Sequence, residues 1–166
     1  MTLPEPLIVF IVLAPGIVAL IAGVFQRFIG DRIAMAITTG TVLTAGILSL
    51  YQLFSYTFGD HHGSGHAHII PLLEPWLEGG QFKANWSIRV DAMSIVMMAV
   101  ITSVSGLVHL YSWGDMSEDP HKARFFSYLS LFTFAMLALV TADNFLQLFF
   151  GWEGVGLCSY LLIGFW

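Results

Sequence analysis

Charged side chains are scarce in this sequence, and their scarcity determines the class of protein. Only 10% of the 166 residues are charged, whereas 57% are hydrophobic. A soluble domain of this size does not have enough interior to bury that much apolar side chain. The six Lys and Arg residues are too few for the clustered basic surface that binds nucleic acid. The composition therefore indicates a polytopic protein of the lipid bilayer, with no nucleic-acid partner.

Cysteine is almost absent as well. Cys158 is the single cysteine, so an internal disulfide is impossible, and its place within an apolar run gives no information on the redox compartment. The N-terminal residues, MTLPEP, lack the positive charge that opens a signal peptide. We therefore expect the first apolar run to remain in the membrane as a span.

Long apolar runs are what the sequence has in abundance. Each is close to the roughly 20 residues that an α-helix needs to cross a bilayer. They predict five membrane-spanning helices, at 7–25, 33–56, 92–113, 125–142 and 145–166. A link of only two residues separates the last two runs, so these helices should form a tight antiparallel pair.

The longest polar segment separates the second span from the third. Residues 82–90, FKANWSIRV, alternate apolar and polar side chains, which is the period of a half-buried strand. The preceding IIPLLEPWLE is the expected partner strand, although its two prolines weaken it. Trp76 and Trp86 suit the aromatic belt at a membrane–water interface. We predict a short β-hairpin on the membrane surface, followed by Asp91 as the N-cap of the third span.

The predicted fold class is an all-α polytopic membrane protein with five transmembrane helices and a short surface β-hairpin between the second and third. Residues 1–56 hold the first two helices, 57–90 form the polar outer loop with its hairpin, and 91–166 hold helices three to five. Most Lys and Arg residues fall in the links 26–32 and 114–124. The positive-inside rule places these links on the cytoplasmic or matrix side and the hairpin outside.

Four histidines in the polar loop are the candidate metal ligands. Imidazoles at such spacing bind Zn²⁺ or Cu²⁺ in many proteins. The flexible Gly and Ser residues between them, and the lack of accompanying thiols, favour an ordinary solvated loop. We expect no resident metal, and keep as weak candidates His61, His62, His66 and His68.

The last apolar run contains one carboxylate, Glu153. It lies eight residues after Phe145, which at 1.5 Å per residue is about 12 Å along a helix and near the middle of a ~30 Å hydrocarbon core. An ionised carboxylate there costs at least about 2.5–3.5 kcal/mol, so the group must be protonated, paired or directed at a wet interior. Intramembrane ionisable residues mark ion and proton paths, and Glu153 is the candidate proton-transfer residue. The alternative is a structural glutamate that hydrogen-bonds a neighbouring helix.

The residues around Glu153 extend this hypothesis. Gly156 and Tyr160 lie on the same helix face, three and seven residues further on, so the Tyr160 hydroxyl is a candidate supporting group. Other small residues of this run permit the close approach of another helix. They are Gly151, Gly154 and Cys158. We therefore expect Glu153 to face a packed interior.

His109, near the end of the third span, is a second candidate for proton transfer. Imidazole titrates close to physiological pH, which suits a relay. The alternative is a histidine whose nitrogens are satisfied by a neighbouring helix or by interfacial water.

Three stretches of the sequence resemble one family. They are WSIRVDAMS, VHLYSWGDMSEDPHKARFFSYLSLFTFAMLALVTADN and FLQLFFGWEGVGLCSYLLIGFW. They closely resemble the L-subunit family of proton-translocating NADH–quinone oxidoreductase, respiratory complex I, and the resemblance extends over essentially the whole chain. Related cation/proton antiporter subunits keep the W-E pair and the closing S-[YF]-L-L-I-G-F-W, but generally differ in the G-V-G-L-C between them.

The resemblance implies an antiporter-like membrane subunit at the distal tip of the complex, with no redox centre of its own. FMN, iron–sulfur clusters and quinone are then expected in other subunits. In the family, the glutamate that matches Glu153 pairs with a lysine on a later, broken helix, and the pair changes its proton affinity as quinone is reduced elsewhere. Family members have many more than five spans, so we expect these residues to be the N-terminal part of a longer polypeptide.

The resemblance thus implies redox-driven proton translocation by a subunit of NADH:quinone oxidoreductase. The expected partners are a neighbouring antiporter-like subunit, other membrane subunits, the rest of the same polypeptide and the lipid bilayer. The expected location is a bacterial plasma membrane, with the mitochondrial inner membrane as the alternative. Two other functions stay open: a subunit of a cation/proton antiporter or membrane-bound hydrogenase, and a non-pumping scaffold. A lysine within about 4–6 Å of Glu153 would argue against the scaffold.

Overall fold

The computed structural model describes residues 3–59, 67–80 and 82–166. The described chain forms α1 (Glu5–Val24), α2 (Gln26–Ile29), α3 (Asp31–Phe58), β1 (His68–Gly79), β2 (Phe82–Val90), α4 (Ala92–Asp115), α5 (Lys122–Val140) and α6 (Phe145–Ile163). All of these helices except α2 are long and apolar enough to cross a membrane, and they number five. The predicted fold class is therefore confirmed.

The helices differ from the predicted spans mainly at their ends. The second of the five spanning helices, α3, has 28 residues and extends past the predicted span at both ends. The single turn α2 was not predicted. Gly30 separates it from α3 with a φ of 81°, a conformation that glycine adopts without steric cost. The last helix ends before Gly164, three residues earlier than expected.

The central helix of the bundle is α5, which packs against α1, α3, α4 and α6. Two of its serine hydroxyls donate hydrogen bonds to α1 carbonyl oxygens: Ser127 to Ala19 at 2.7 Å, and Ser130 to Pro15 at 3.0 Å. Hydrogen bonds of this kind associate helices in a bilayer, where no hydrophobic force drives helices together. They hold α1 against α5 at two successive turns.

The last helix, α6, packs closely on α5, as predicted for an antiparallel pair. A Cβ placed on Gly151 would lie 2.7 Å from both the Cα and the N atom of Leu139, so only glycine permits this approach. Most of the remaining surface of α6 has no contact within the described chain. In its most apolar 18-residue window 17% of the residues are buried, against 39–44% in the other four spans.

The two strands pair antiparallel as a single hairpin, which confirms the prediction. The pairing is irregular between Pro71 and Leu73 and again between Leu73 and Leu77, because a proline has no N–H to give to the ladder. The largest apolar cluster lies beneath this hairpin and joins it to the helices. Its buried members are Leu3, Ile8, Ile11, Val12, Ala45, Ile70, Ile88, Val90, Ile95, Met98 and Leu137.

One residue breaks the predicted alternation of β2. Ala84, Ile88 and Val90 are buried as expected, and Lys83 is exposed. Ser87 was predicted on the polar, solvated face, but only 2% of its surface is exposed. The prediction failed at this position because the start of α6 covers this face of the strand.

Candidate functional site

The candidate proton-transfer residue, Glu153, lies on the outer face of α6. The residues of α6 that are buried in the chain are Gln147, Gly151 and Cys158. They follow each other at spacings of four and seven residues, and this stripe faces α5. Glu153 lies two residues after Gly151, which on a helix of 3.6 residues per turn is a rotation of about 200°. Its side chain is accordingly exposed in this chain.

The expectation that Glu153 faces a packed interior is therefore wrong for the part of the chain that the structure describes. The small residues do provide a close helix contact, since Gly151 lies against Leu139 and Gly154 against Ala135, but this contact is on the side of α6 that meets α5, and Glu153 is not on that side. Beside Glu153, nothing in the described chain comes within 4 Å of a Cβ placed on Gly156. The prediction that the small residues permit a close helix contact is therefore correct. The prediction that this contact surrounds the Glu153 carboxylate is not.

No ion pair of the described residues includes Glu153. The pairs found there join His68 to Glu5, Lys83 to Glu78 and Arg89 to Asp91, all on the hairpin side of the bundle. Tyr160 shares the outer face with Glu153, as predicted, and 73% of its surface is exposed. Carboxylate and phenol therefore lie two turns apart on the least covered surface of the bundle.

The second candidate, His109, is fully buried between helices. Its Nδ1 is 2.8 Å from the carbonyl oxygen of Ser105, one turn earlier in α4, and its ring contacts Phe126 of α5 edge-on at 5.8 Å between centroids. The Ser105 hydroxyl makes a short hydrogen bond to the Thr133 hydroxyl, which joins α4 to α5. Nδ1 is thus bonded within the histidine's own helix and not to a neighbouring helix, whereas Nε2 has no partner among the described residues.

The structure does not bring the two candidates together. His109 contacts the N-terminal half of α5, at Phe126. Glu153 points away from α5, and its helix contacts the C-terminal half of α5, at Ala135 and Leu139. In the described chain the two candidates are therefore separate positions on different helices.

The position of α6 is set by a group of polar residues that sequence reasoning missed. Asn144 caps α6 by accepting a hydrogen bond from the Gln147 backbone N–H at 2.9 Å, and its side-chain amide donates to the carbonyl oxygen of Asn85 at 2.8 Å. Gln147, 1% exposed, donates from Nε2 to the carbonyl oxygen of Ser87 at 2.8 Å. These bonds fasten the hairpin to the start of α6, the helix that carries Glu153. The signal in the sequence was an Asn three residues before a Gln inside an apolar run.

Asp91 caps α4 as predicted. Its side chain accepts the backbone N–H of Ser94 at 2.9 Å, and the Ser94 hydroxyl accepts the Asp91 N–H at 2.7 Å, which is a reciprocal capping box. The hydrogen bond from the Ser94 backbone lowers the pKa of Asp91, with the neighbouring Arg89 adding to it and partial burial opposing it. The cap fixes the junction between β2 and the third span.

The candidate metal ligands divide into two groups. His61, His62 and His66 lie outside the described residues. His68 opens β1, and its Nε2 lies 3.0 Å from the Glu5 carboxylate, with both side chains more than half exposed. Within the ranges that the structure describes, no three His, Cys, Asp or Glu residues are grouped to hold a metal ion.

Comparison with known proteins finds sequences that are similar to this chain. A family model described as the N-terminus of chain 5 of NADH-ubiquinone oxidoreductase (complex I) matches residues 76–126. NADH-quinone oxidoreductase subunit L of Rickettsia bellii is 52% identical over 159 residues, which are 95% of this chain and 24% of that protein.

Two further relatives have lower identity and similar coverage. Subunit L of Rhodobacter capsulatus is 47% identical over 163 residues, covering 94% of this chain and 22% of the relative. NADH-ubiquinone oxidoreductase chain 5 of Arabidopsis thaliana is 47% identical over 156 residues, again 94% of this chain and 22% of the relative. The chain therefore spans about a quarter of the length of the curated relatives that it matches.

Proposed function

We propose that this chain belongs to a proton-translocating membrane subunit of an NADH-quinone oxidoreductase complex. The premise is that the chain is a homologue of the N-terminal part of the subunit L and chain 5 family. In this proposal Glu153 takes up and releases a proton during redox-driven transfer. The chain performs no redox chemistry, and FMN, iron–sulfur clusters and quinone are held by other subunits.

The observation that carries this proposal is the outward direction of Glu153 on α6, the least covered span of the bundle. A carboxylate near the middle of a bilayer that met only lipid would impose a large cost on the fold. The outer face of α6 therefore requires protein or water against it in the assembled subunit. A carboxylate held in such a place is poised for proton transfer rather than for inter-helix packing within this chain.

The share of the relatives that this chain covers, about a quarter, supports a specific cover for that face. In the proposal the remaining part of the same polypeptide packs on α6 and places a basic side chain near Glu153. An adjacent cation stabilises the ionised carboxylate, and its withdrawal favours the protonated form. Movement of that cation therefore converts a conformational change into uptake or release of one proton.

The fixed position of α6 supports the same role. The contact of Gly151 with Leu139 anchors one face of α6. The hydrogen bonds of Gln147 to Ser87 anchor the N-terminal end of the same helix. A rigid supporting element allows a partner to move relative to the carboxylate without displacing the carboxylate itself. Tyr160, on the same outer face, would extend the polar path by two turns.

The proposed surroundings follow from the same premise. The chain is a multi-pass membrane protein, by its five apolar helices and its relatives. The proposed location is a bacterial plasma membrane, since the relative from Rickettsia bellii is bacterial, with the mitochondrial inner membrane as the alternative. A neighbouring antiporter-like subunit and other membrane subunits of the complex are the proposed partners.

The experiment that tests the proposal is NADH-driven proton pumping in membrane vesicles that carry Glu153→Gln in the full-length subunit. Glutamine keeps the shape and a hydrogen bond but cannot titrate. Glu153→Asp retains a carboxyl group, and Glu118→Gln, an exposed carboxylate in the link between α4 and α5, is the matched control.

The proposal predicts that Glu153→Gln assembles but loses pumping together with the coupled NADH oxidation. Glu153→Asp should retain part of both activities, and Glu118→Gln should behave as the native protein. Normal pumping by an assembled Glu153→Gln complex would contradict the proposal and support a scaffold role for α6.

A further inference from the structure

The contact between α3 and α4 has a register that can be followed along both helices. A Cβ placed on Gly46 would lie 3.4 Å from the carbonyl oxygen of Thr102, and one placed on Gly106 would lie 3.2 Å from Leu43. The helices are antiparallel, so moving one turn toward the start of α3 corresponds to moving one turn toward the end of α4. That step places Thr39 opposite His109.

Both of these residues are buried, and both hold a polar atom without a partner in the described chain. Thr39 is 3% exposed and His109 is fully buried. The unpartnered atoms are Thr39 Oγ1 and His109 Nε2. The two atoms are thus not hydrogen-bonded to each other, although the register puts their residues at the same level of one helix contact.

The direction of the missing hydrogen bond at His109 follows from its other nitrogen. Nδ1 lies 2.8 Å from the Ser105 carbonyl oxygen, which only accepts, so Nδ1 carries the proton. In the neutral imidazole Nε2 is then an acceptor and requires a donor. The hydroxyl of Thr39 can both donate and accept a hydrogen bond. A water molecule between the two residues can therefore donate one hydrogen bond to Nε2 and either donate to Oγ1 or accept from it.

We infer that one buried water molecule bridges His109 Nε2 and Thr39 Oγ1 between α3 and α4, and that this bridge makes His109 a proton-relay site separate from Glu153. Buried waters characteristically satisfy two to four polar groups that otherwise lack partners. Polar groups of neighbouring helices that are too far apart for a direct hydrogen bond are joined by water in many proteins. The water site rests on the contacts above, and only its use in transport rests on the function proposed for the subunit.

The relay step is a simple proton exchange. A proton that arrives on the bridging water, as hydronium, moves to Nε2 and leaves neutral water and an imidazolium ion. The return step takes the same proton back to the water, and Nδ1–H stays on the Ser105 carbonyl oxygen throughout. His109 lies six residues before the end of α4, about 9 Å along the helix, so the site is within reach of one membrane surface.

The site is tested by cryo-electron microscopy of the assembled complex at a resolution that shows ordered water. The native complex should show one density peak at hydrogen-bond distance from both His109 Nε2 and Thr39 Oγ1. Thr39→Val keeps the shape of the side chain but removes the hydroxyl, and the peak should disappear. Thr44→Val is the matched control, because the Thr44 hydroxyl is exposed and bonds to carbonyls of its own helix. A direct bond between Thr39 and His109, or a peak that Thr39→Val leaves unchanged, would overturn the site.

The transport role has its own readout. Thr39→Val and His109→Gln should each lower NADH-driven proton pumping at least about twofold relative to Thr44→Val. A clear water peak in the native complex with native pumping in both variants would overturn the relay. Because these results do not depend on Glu153→Gln, failure of this inference and failure of the proposed function are distinguishable.

Discussion

Gln147 pairs with the backbone of Ser87 as a neighbouring strand would. Its Nε2 donates to the Ser87 carbonyl oxygen at 2.8 Å, and its Oε1 accepts the Ser87 N–H at 3.4 Å. The same edge of β2 continues into the turn between α5 and α6, where the Arg89 N–H donates to the Thr141 carbonyl oxygen at 2.9 Å. The hairpin is thereby tied to the helix that carries Glu153.

Replacing Gln147 should loosen the hairpin. Gln147→Leu leaves a buried N–H and a buried carbonyl of Ser87 without partners, at a cost of about 1–3 kcal/mol. We expect faster proteolysis of the hairpin in vesicles that expose it. Asn85→Ala is the control, because the Asn85 side chain is exposed and has only a long contact of 3.4 Å with Glu74. Equal cleavage rates in the two variants would show that Gln147 does not anchor the hairpin.

The Gly151 contact predicts a difference between two glycines. Gly151→Ala brings a methyl group to 2.7 Å from the backbone of Leu139 and should destabilise the protein by about 1–3 kcal/mol, since the backbone must move. Gly40→Ala is the control, because nothing in the described chain lies within 4 Å of its Cβ and alanine favours the helix. The thermal denaturation midpoint of the full-length protein in detergent should fall for Gly151→Ala and not for Gly40→Ala. A fall of equal size in both would refute the close contact.

The capping box at Asp91 predicts a pH-dependent contribution to stability. Asp91→Ala should cost about 1 kcal/mol at pH 7, and Asp91→Asn less, because asparagine also caps a helix. Bonding to Ser94 lowers the pKa of Asp91 in the folded state below its ordinary value of 3.8. The stability contributed by the ionised carboxylate is therefore fully present above pH 3.8 and is lost as the pH falls through the lower folded-state pKa.

This pH dependence is measured as the difference in unfolding free energy between native protein and Asp91→Asn. The difference should be constant from neutral pH down to about pH 5 and should shrink toward about pH 2. A difference that stays the same over the whole range would show that ionisation of Asp91 does not stabilise the cap.

Tyr160 should matter less than Glu153 for transport. If the phenol hydroxyl supports the polar path, Tyr160→Phe should lower proton pumping by about two- to tenfold, the net worth of one hydrogen bond. Tyr51→Phe is the control, an exposed tyrosine of α3. A native pumping rate in Tyr160→Phe would remove the residue from the proton path.

The sequence predicted the number, order and approximate limits of the spans because apolar runs of bilayer length are a strong signal. The cap at Asp91 followed from residue type and position alone. The β-hairpin followed from the alternation of 82–90, and it failed only at Ser87, which is covered by Gln147 from 60 residues away. Contacts between distant segments decide burial, and no local pattern reports them.

The sequence predicted the residue types of the candidate site, but not the direction in which the Glu153 side chain points. The position of Glu153 in an apolar run indicated an unusual carboxylate, and helix periodicity placed Tyr160 on the same face. Which face meets α5 depends on the packing of Gly151 against Leu139, a tertiary contact. For His109, the sequence left its partners open, and only the fold shows that one nitrogen bonds to Ser105.

The most direct test of the central claim is to observe protonation of Glu153 during turnover. Infrared difference spectra of the assembled complex, recorded with and without NADH, report carboxyl groups that gain or lose a proton. We predict a carboxyl band in the native spectrum that is absent from Glu153→Gln and present in the Glu118→Gln control. If the native and Glu153→Gln spectra are identical in this region, Glu153 does not change protonation and the proposed proton-transfer role is contradicted.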